Sequence, residues 1–401
     1  MFMRLRRLGA GGVVLKIARL CLYGLRRLGV DLAPSRAKSL AKKYAGRDLV
    51  YFAPYSHWHV PLYQRPQHLA LELGRQGFLY IFGTTENWRV VEGVRELDEG
   101  LILCNRVDLL NHFEQNRERK WLHLYSTDNL HGLDEVKAFE RAGWNVLYEF
   151  VDEFCDDVTF SPISKVVRDR HEYLLDGRQA VIATAKVLLE QVPAKKEKMK
   201  ALIQNAVDLD HFRREDVVAT SDKVFADRIS PFESVLGYYG AFASWVDWDL
   251  VYTVAERNPE IAVVLIGQDL DKSRPVYMAD KAQLKNLLFF PPVPYAELPS
   301  YAVHFTTAWI PFVINNVTLS TSPLKIFEYL ALGLKVLSPQ LPECVDLAKV
   351  NPKVVILKKD DNWGANVDGR LGATYERSLA GIYSWKDQAS KIRALLSQGS
   401  K

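Results

Sequence analysis

Cysteine is scarce in this chain of 401 residues: Cys21, Cys104, Cys155 and Cys344 lie far apart, with no C-x-x-C pair. That pattern speaks against a disulfide-stapled fold and a structural zinc site, and it fits a reducing compartment. Long apolar runs are also missing. No stretch approaches the about 18 uncharged residues that a membrane-crossing helix needs. No G-x-G-x-x-G follows a strand pattern. The nearest approach, "LGAGGVV" (8–14), sits in a basic segment with no strand before it, which argues against a nicotinamide oxidoreductase. Internal repeats and low-complexity segments are absent.

What is present is the composition of a soluble globular enzyme, 48% hydrophobic and 25% charged. The length is too great for one ordinary core and implies two or three domains. The net charge of +4 conceals an asymmetry. Residues 1–47 hold 12 Lys and Arg against one acid, Asp31, a balance of +11, so the remainder carries −7. This arm does not read as a secretory signal, because Lys16 and Arg19 interrupt its apolar run and no small-residue cleavage site follows. A helical wheel from Val13 to Val30 gathers Lys16, Arg19, Arg26 and Arg27 opposite Val14, Ile17, Cys21, Leu25 and Leu28. A basic amphipathic helix of this kind can lie in an anionic membrane surface. A basic helix packed on the protein and a frayed terminus are the plainer alternatives. The acidic body confines any nucleic-acid contact to residues 1–47, and none is expected.

From residue 48 the chain alternates short apolar segments with helical patterns. "DLVYFAP" (48–54), "FLYIFG" (78–83), "GLILCNR" (100–106), "KWLHLYS" (120–126) and "NVLYEFVD" (145–152) read as strands. "RPQHLALELGRQG" (65–77) reads as a helix with Pro near its first turn and Gly at its end. "AVIATAKVLLEQV" (180–192) continues the alternation, and "ALIQNAVD" (201–208) ends the half. A polar stretch without period (209–233) reads as a connection. The rhythm restarts with "SVLGYYG" (234–240), a helix over 248–259, "IAVVLIGQD" (261–269), "NLLFFPPV" (286–293), "TTAWIPF" (306–312) and "KVLSP" (335–339). A terminal amphipathic helix covers 386–398. The expected architecture is α/β: two Rossmann-like parallel-sheet domains facing a central cleft. The first spans 48–215, the second 216–382, and a C-terminal helix at about 383–398 is placed to pack back on the first.

In open α/β sheets ligands sit at the carboxyl ends of the strands. Three pieces of the second half should meet there. Gly240 in "GYYGAFASW" (237–245) permits a turn with φ > 0 and close approach of a phosphate to backbone N–H groups, or it is a plain turn glycine. Gly267 in "LIGQD" (265–269) follows a strand and lets the chain turn over a planar ligand, alone a weak signal. The third piece is "TSPLKIFEYLALGLKVLSP" (321–339). Pro323 suits the first helical position, and Ser320, Thr321 and Ser322 can cap. Free N–H groups and the helix dipole favour an anion there, and Lys325 adds a full charge one turn in. Glu328 lies on the same side three residues later, and a carboxylate suits the vicinal hydroxyls of a ribose. The plainer alternative is a surface i,i+3 ion pair.

"GYYGAFASWVDWDLVYTVAERNPEIAVVLIG" (237–267), "NLLFFPPVPYAELPSYAVHFTTAWIPF" (286–312) and "TLSTSPLKIFEYLALGLKVLS" (318–338) resemble the donor half of GT-B glycosyltransferases. The likeness is to retaining family 4 and its bacterial cell-surface polysaccharide relatives. "QRPQHLALELGRQG" (64–77), "YEFVDEF" (148–154) and "LIQNAVDLDHF" (202–212) resemble the first half of the same relatives. The resemblance covers nearly the whole chain from about residue 48. It implies a nucleotide-sugar donor, UDP- or GDP-linked, in the second domain and a glycan or lipid-linked acceptor in the first. Glu328 matches the Glu that holds the donor ribose. Lys325 and the loop 320–323 match the diphosphate and donor-sugar region, and Gly240 the glycine turn of the domain's first strand. Many family members carry an acid eight positions before that Glu, where this chain has Ser320.

In the first half "VDEF" places Asp152 and Glu153 at a strand end, as candidate catalytic carboxylates. Asp152 can orient the acceptor or serve as a base, or it caps a helix. Asp156 and Asp157 follow closely, but no His or Cys completes a ligand set. The resemblance implies metal-independent chemistry, with no cofactor beyond the nucleotide-sugar substrate. Trp58, Arg65 and His68 in "SHWHVPLYQRPQHLA" (56–70) are candidate cleft residues, for stacking, anion contact and sugar hydrogen bonding, unless the segment simply starts its helix. Asn205 and Asp208 read as a turn at the domain junction, and Glu172 as solvated. The expectation is a glycosyltransferase of cell-surface polysaccharide synthesis, peripheral at the inner face of the cytoplasmic membrane. The alternative is an inactive relative that binds nucleotide-sugar or glycan.

Overall fold

The computed structural model describes residues 31–53, 57–60, 63–128, 130–156, 162–273, 284–369 and 378–398. The basic helix expected over 13–30 lies outside these residues. Two sheets organise the chain. The first contains β1 (Leu49–Phe52), β2 (Leu79–Gly83), β3 (Val94–Asp98), β4 (Leu101–Cys104), β5 (Lys120–Tyr125), β6 (Asn145–Phe150), β7 (Ala180–Ala183) and β8 (Lys200–Leu202). Their order is β3-β4-β2-β1-β5-β6-β7-β8. All neighbours are parallel except the β3–β4 hairpin at one edge. The second sheet contains β9 (Ser234–Tyr239), β10 (Ile261–Ile266), β11 (Leu287–Phe290), β12 (Thr307–Trp309), β13 (Lys335–Ser338) and β14 (Val354–Ile356). It is wholly parallel, in the order β11-β10-β9-β12-β13-β14.

The period of two along β1 explains the continuous apolar runs. Leu49 and Tyr51 enter one core with Ala37, Val136 and Leu174 from helices on that face. Val50 and Phe52 enter the other with Leu69 and Leu73 of the helix Arg65–Arg75. Both faces are covered, as a parallel sheet requires. The helix Trp385–Gln398 lies on this second face, with Trp385, Ala389, Ile392, Leu395 and Leu396 in the core. The chain therefore crosses between halves twice, and the crossings run side by side: Val207 N donates to Tyr383 O at 3.1 Å, and Val207 pairs with Ser384.

Two local expectations change. The last part of the basic arm is an element of the first domain: helix Ala33–Lys43 buries Ala33 and Ala37 against it. Its charges meet acids there, with Lys43 2.7 Å from Glu96 and Arg47 2.6 Å from Glu99. The stretch 209–233 is not all connection, since the helix Lys223–Ile229 forms inside it, capped by Asp222 and anchored by buried Phe225 and Ile229. Two anchors in so short a segment give no readable period. Strand β14, three residues long, gives no readable period either.

Candidate functional site

Strand order reverses between β9 and β12 in one sheet and between β1 and β5 in the other, which is where open sheets form crevices. A cleft of about 1000 Å³ opens there. Tyr63, Arg65, Asp152 and Asn205 line it from the first half; Tyr239, Thr321, Ser322, Lys325 and Glu328 line it from the second.

The helix Leu324–Ala331 points its start into this cleft. Pro323 is its N-cap, with φ −67°, one position earlier than expected, and no side chain caps it. The three hydroxyls expected to cap are engaged elsewhere. Ser320 Oγ donates to Glu153 Oε2 at 2.8 Å, and Thr321 Oγ1 to Val317 O at 2.9 Å. Ser322 Oγ accepts from Asn205 N at 3.3 Å. The first turn therefore offers the cleft backbone N–H groups with no side-chain partner and the positive end of the dipole.

Lys325 is half-buried in the cleft wall and makes no hydrogen bond or ion pair among the described residues. Burial lowers its pKa, and the nearby Glu328 opposes that. Its stem crosses directly over Gly240: a Cβ there would lie 2.1 Å from Lys325 Cε. Gly240 has φ +142° and Gly267 has φ +159°, and a Cβ on Gly267 would lie 1.8 Å from Gly240 O. Gly240 thus leaves room for the Lys325 stem, and Gly267 lets the backbone of Gly240 pass closely.

Glu328 is 3% exposed, so it is no surface ion pair. Its Oε2 accepts from the Tyr239 hydroxyl at 2.8 Å. Burial pushes its pKa up to about 7, against the pull of Lys325 and Tyr239. Tyr239 is a site residue that sequence reasoning missed. Its signal was position, at the carboxyl end of the strand just before Gly240.

Across the cleft the candidates separate. Asp152 lines it and makes no hydrogen bond among the described residues, so it caps no helix. Burial pushes its pKa up to about 6, while the Arg65 guanidinium pulls the other way. Glu153, expected to be catalytic, is not in the lining. Its carboxylate is held by Ser320 and by Gln191 Nε2 at 3.0 Å, so it ties the halves together. Arg65 borders the cleft but is 4% exposed and committed within the protein. Its Nε donates to Glu149 Oε1 at 2.5 Å. Its Nη1 reaches Gln204 O at 3.0 Å and Asn205 Oδ1 at 3.3 Å. Glu149 is fully buried. Burial would raise its pKa, but Arg65 and the His123 ring 2.7 Å away outweigh this and hold it below the ordinary value.

Trp58 and His68 are corrections. Trp58 packs edge-on against Phe82 and Tyr63, with ring centres 5.0 and 5.7 Å away, as part of the core under the cleft. His68 is buried and stacks on Trp385 at 4.8 Å, pinning the C-terminal helix. Burial drops its pKa to about 3, so it stays neutral. Neither lines the cleft. His68 lies on the helix Arg65–Arg75, which must bury its inner face, and Trp58 is drawn into the same core from the segment before it. Asp208 forms the expected turn, accepting from Asp210 N and His211 N at 3.2 and 3.0 Å, and Glu172 is exposed.

Several known proteins share this fold. Sucrose-phosphate synthase from Thermosynechococcus elongatus superposes with a TM-score of 0.63 at 14% identity, covering 88% of this chain and 98% of that one. The crystal structure of Anabaena HepE in complex with UDP and glucose gives 0.60 at 13% identity, covering 88% and 99%. The fold is GT-B. Among curated proteins, the GT-B chain is similar to "Putative teichuronic acid biosynthesis glycosyltransferase TuaH" of Bacillus subtilis (strain 168), 22% identical over 213 residues. That match spans 49% of this chain and 51% of the relative, about half the length of each. No family model matches the chain.

Proposed function

We propose that this GT-B protein is a glycosyltransferase that moves a sugar from a nucleotide-sugar donor to a glycan or lipid-linked acceptor in cell-surface polysaccharide synthesis. One observation carries the reading: Lys325 and Glu328 stand one turn apart on a helix whose uncapped start opens into the interdomain cleft, against Gly240. The diphosphate sits at the helix start beside Lys325, and the ribose hydroxyls donate to Glu328. The solved complex of HepE with UDP and glucose supports a UDP-linked donor, with GDP the other candidate. The similarity to TuaH, a teichuronic acid biosynthesis protein by its name, supports a polysaccharide setting.

The reaction we propose retains anomeric configuration and uses no metal. The acceptor oxygen bonds the anomeric carbon, the bond from that carbon to the diphosphate breaks, and the hydroxyl proton passes to the departing diphosphate. Lys325 and the helix dipole stabilise the charge that develops there. Asp152 orients the acceptor hydroxyl from the opposite wall.

The work is done at the inner face of the cytoplasmic membrane, held by residues 1–30 with their seven Lys and Arg and no acid. Among the described residues no helix is long and apolar enough to cross a membrane.

The test is calorimetric binding and thermal shift with UDP, GDP, ADP, CMP and their sugar conjugates. One nucleotide should stabilise the wild type selectively. Glu328→Ala should weaken it at least roughly tenfold, if the ribose bonds contribute about 1.5–3 kcal/mol. Unchanged affinity in a folded variant would count against the site. A wild type indifferent to every nucleotide would leave the glycan-binding alternative.

A further inference from the structure

The loop Ser320–Pro323 belongs to the second domain, yet side chains of the first domain hold it at both ends. Glu153 accepts from Ser320 Oγ at 2.8 Å and is steadied by Gln191. Two residues on, Asn205 grips Ser322 twice: its Nδ2 donates to Ser322 O at 2.6 Å, and its backbone N donates to Ser322 Oγ at 3.3 Å. The orientation of the Asn205 amide is set from behind. Arg65 Nη1 donates to Oδ1, which leaves Nδ2 to face the loop. Arg65 is itself fixed by the buried Glu149 and lies under Trp385, with its guanidinium carbon 5.9 Å from the ring centre. Glu149 also binds His123 at 2.7 Å, whose other ring nitrogen is 2.8 Å from the Tyr80 hydroxyl. A continuous polar chain thus runs from the interior of the first sheet to the peptide just before the helix start.

We propose that Asn205, oriented by Arg65, is a positioning residue for the donor diphosphate. It rests on the reading of the cleft as a nucleotide-sugar site. Ser322 O lies in the peptide that joins Ser322 to the N-cap Pro323. Holding that carbonyl places the first-turn N–H groups, and with them Lys325, relative to the rest of the cleft. A shift of about 1 Å in such groups is enough to matter to a bound charge. Glu328 is anchored separately, by Tyr239 of its own domain. The clamp therefore acts on the phosphates and not on the ribose.

That separation gives the test. Calorimetry on the full chain compares UMP with UDP, and GMP with GDP, in wild type, Asn205→Ala, Asn205→Asp and Glu328→Ala. The aspartate keeps an acceptor for Arg65 but turns an oxygen, not an N–H, towards Ser322 O. In both Asn205 variants the affinity gained from monophosphate to diphosphate should shrink roughly tenfold. In Glu328→Ala both ligands should weaken together and the gain should persist. A general loosening would lower both ligands in all variants alike. Should Asn205→Ala fail to fold, Asn205→Asp carries the comparison. An unchanged gain in folded Asn205 variants, with Glu328→Ala still weakened, would overturn the clamp alone. A wild type that binds none of the four would overturn the donor site and the clamp together.

Discussion

Glu328 and Gly240 show how a single side chain or its absence shapes the cleft. Gly240→Ala would put a methyl 2.1 Å from Lys325 Cε on a backbone at φ +142°. We expect a folded protein, destabilised by about 1–3 kcal/mol, whose Lys325 is displaced and whose nucleotide affinity falls; denaturant unfolding and calorimetry read the two effects. Unaltered affinity would show that Lys325 can reroute. Glu328 has a folded-state pKa of about 7 against an ordinary 4.5. A carboxyl raised in this way contributes stability that is fully present below pH about 4.5 and is lost as the pH rises through about 7, to the extent of roughly 3 kcal/mol. Asp152, raised to about 6, acts in the same direction. Wild type should thus lose more melting temperature between about pH 5 and about pH 8 than Glu328→Gln does. Equal losses would mean that the carboxyl is not held protonated.

Among elements, the helix Trp385–Gln398 ties the end of the chain to its first half. It returns to the first sheet after the second domain is complete, and Trp385 packs on both His68 and Arg65. Trp385→Ala should cost about 3–5 kcal/mol of stability, read by chemical denaturation. A loss below about 1 kcal/mol would mean the helix docks without this anchor. The helix was legible from its amphipathic period, as was Arg65–Arg75 from its Pro and its apolar face. The helix Lys223–Ile229 and strand β14 were not, because elements that short carry too few residues for periodicity to stand out.

On the scale of the whole molecule, two chain crossings set side by side and a polar seam join the halves. Glu343 accepts from Lys186 N at 2.9 Å and from Gln204 Nε2 at 2.6 Å along that seam. The basic arm belongs at this scale too. Because Ala33–Lys43 is built into the first domain, the informative truncation removes residues 1–30 and no more. That protein should keep its nucleotide affinity and lose salt-sensitive sedimentation with vesicles containing phosphatidylglycerol. Undiminished sedimentation would remove the membrane assignment.

Local chemistry was enough to determine most of the strand and helix alternation and the Lys325–Glu328 pair at a helix start, since each depends on neighbours within a few residues, and the order of those elements along the chain pointed to two sheets. Tertiary structure decided which candidates reach the cleft. Arg65, Glu153, Trp58 and His68 all carry chemistry a sugar site can use, but hydrogen bonds to partners distant in sequence turned Arg65 and Glu153 into ties, and burial turned the other two into packing. The same distance hid Tyr239 as the partner of Glu328 and Asn205 as the grip on Ser322. Those contacts join residues 89 and 117 positions apart, and only the closed-up fold brings such residues within a hydrogen bond.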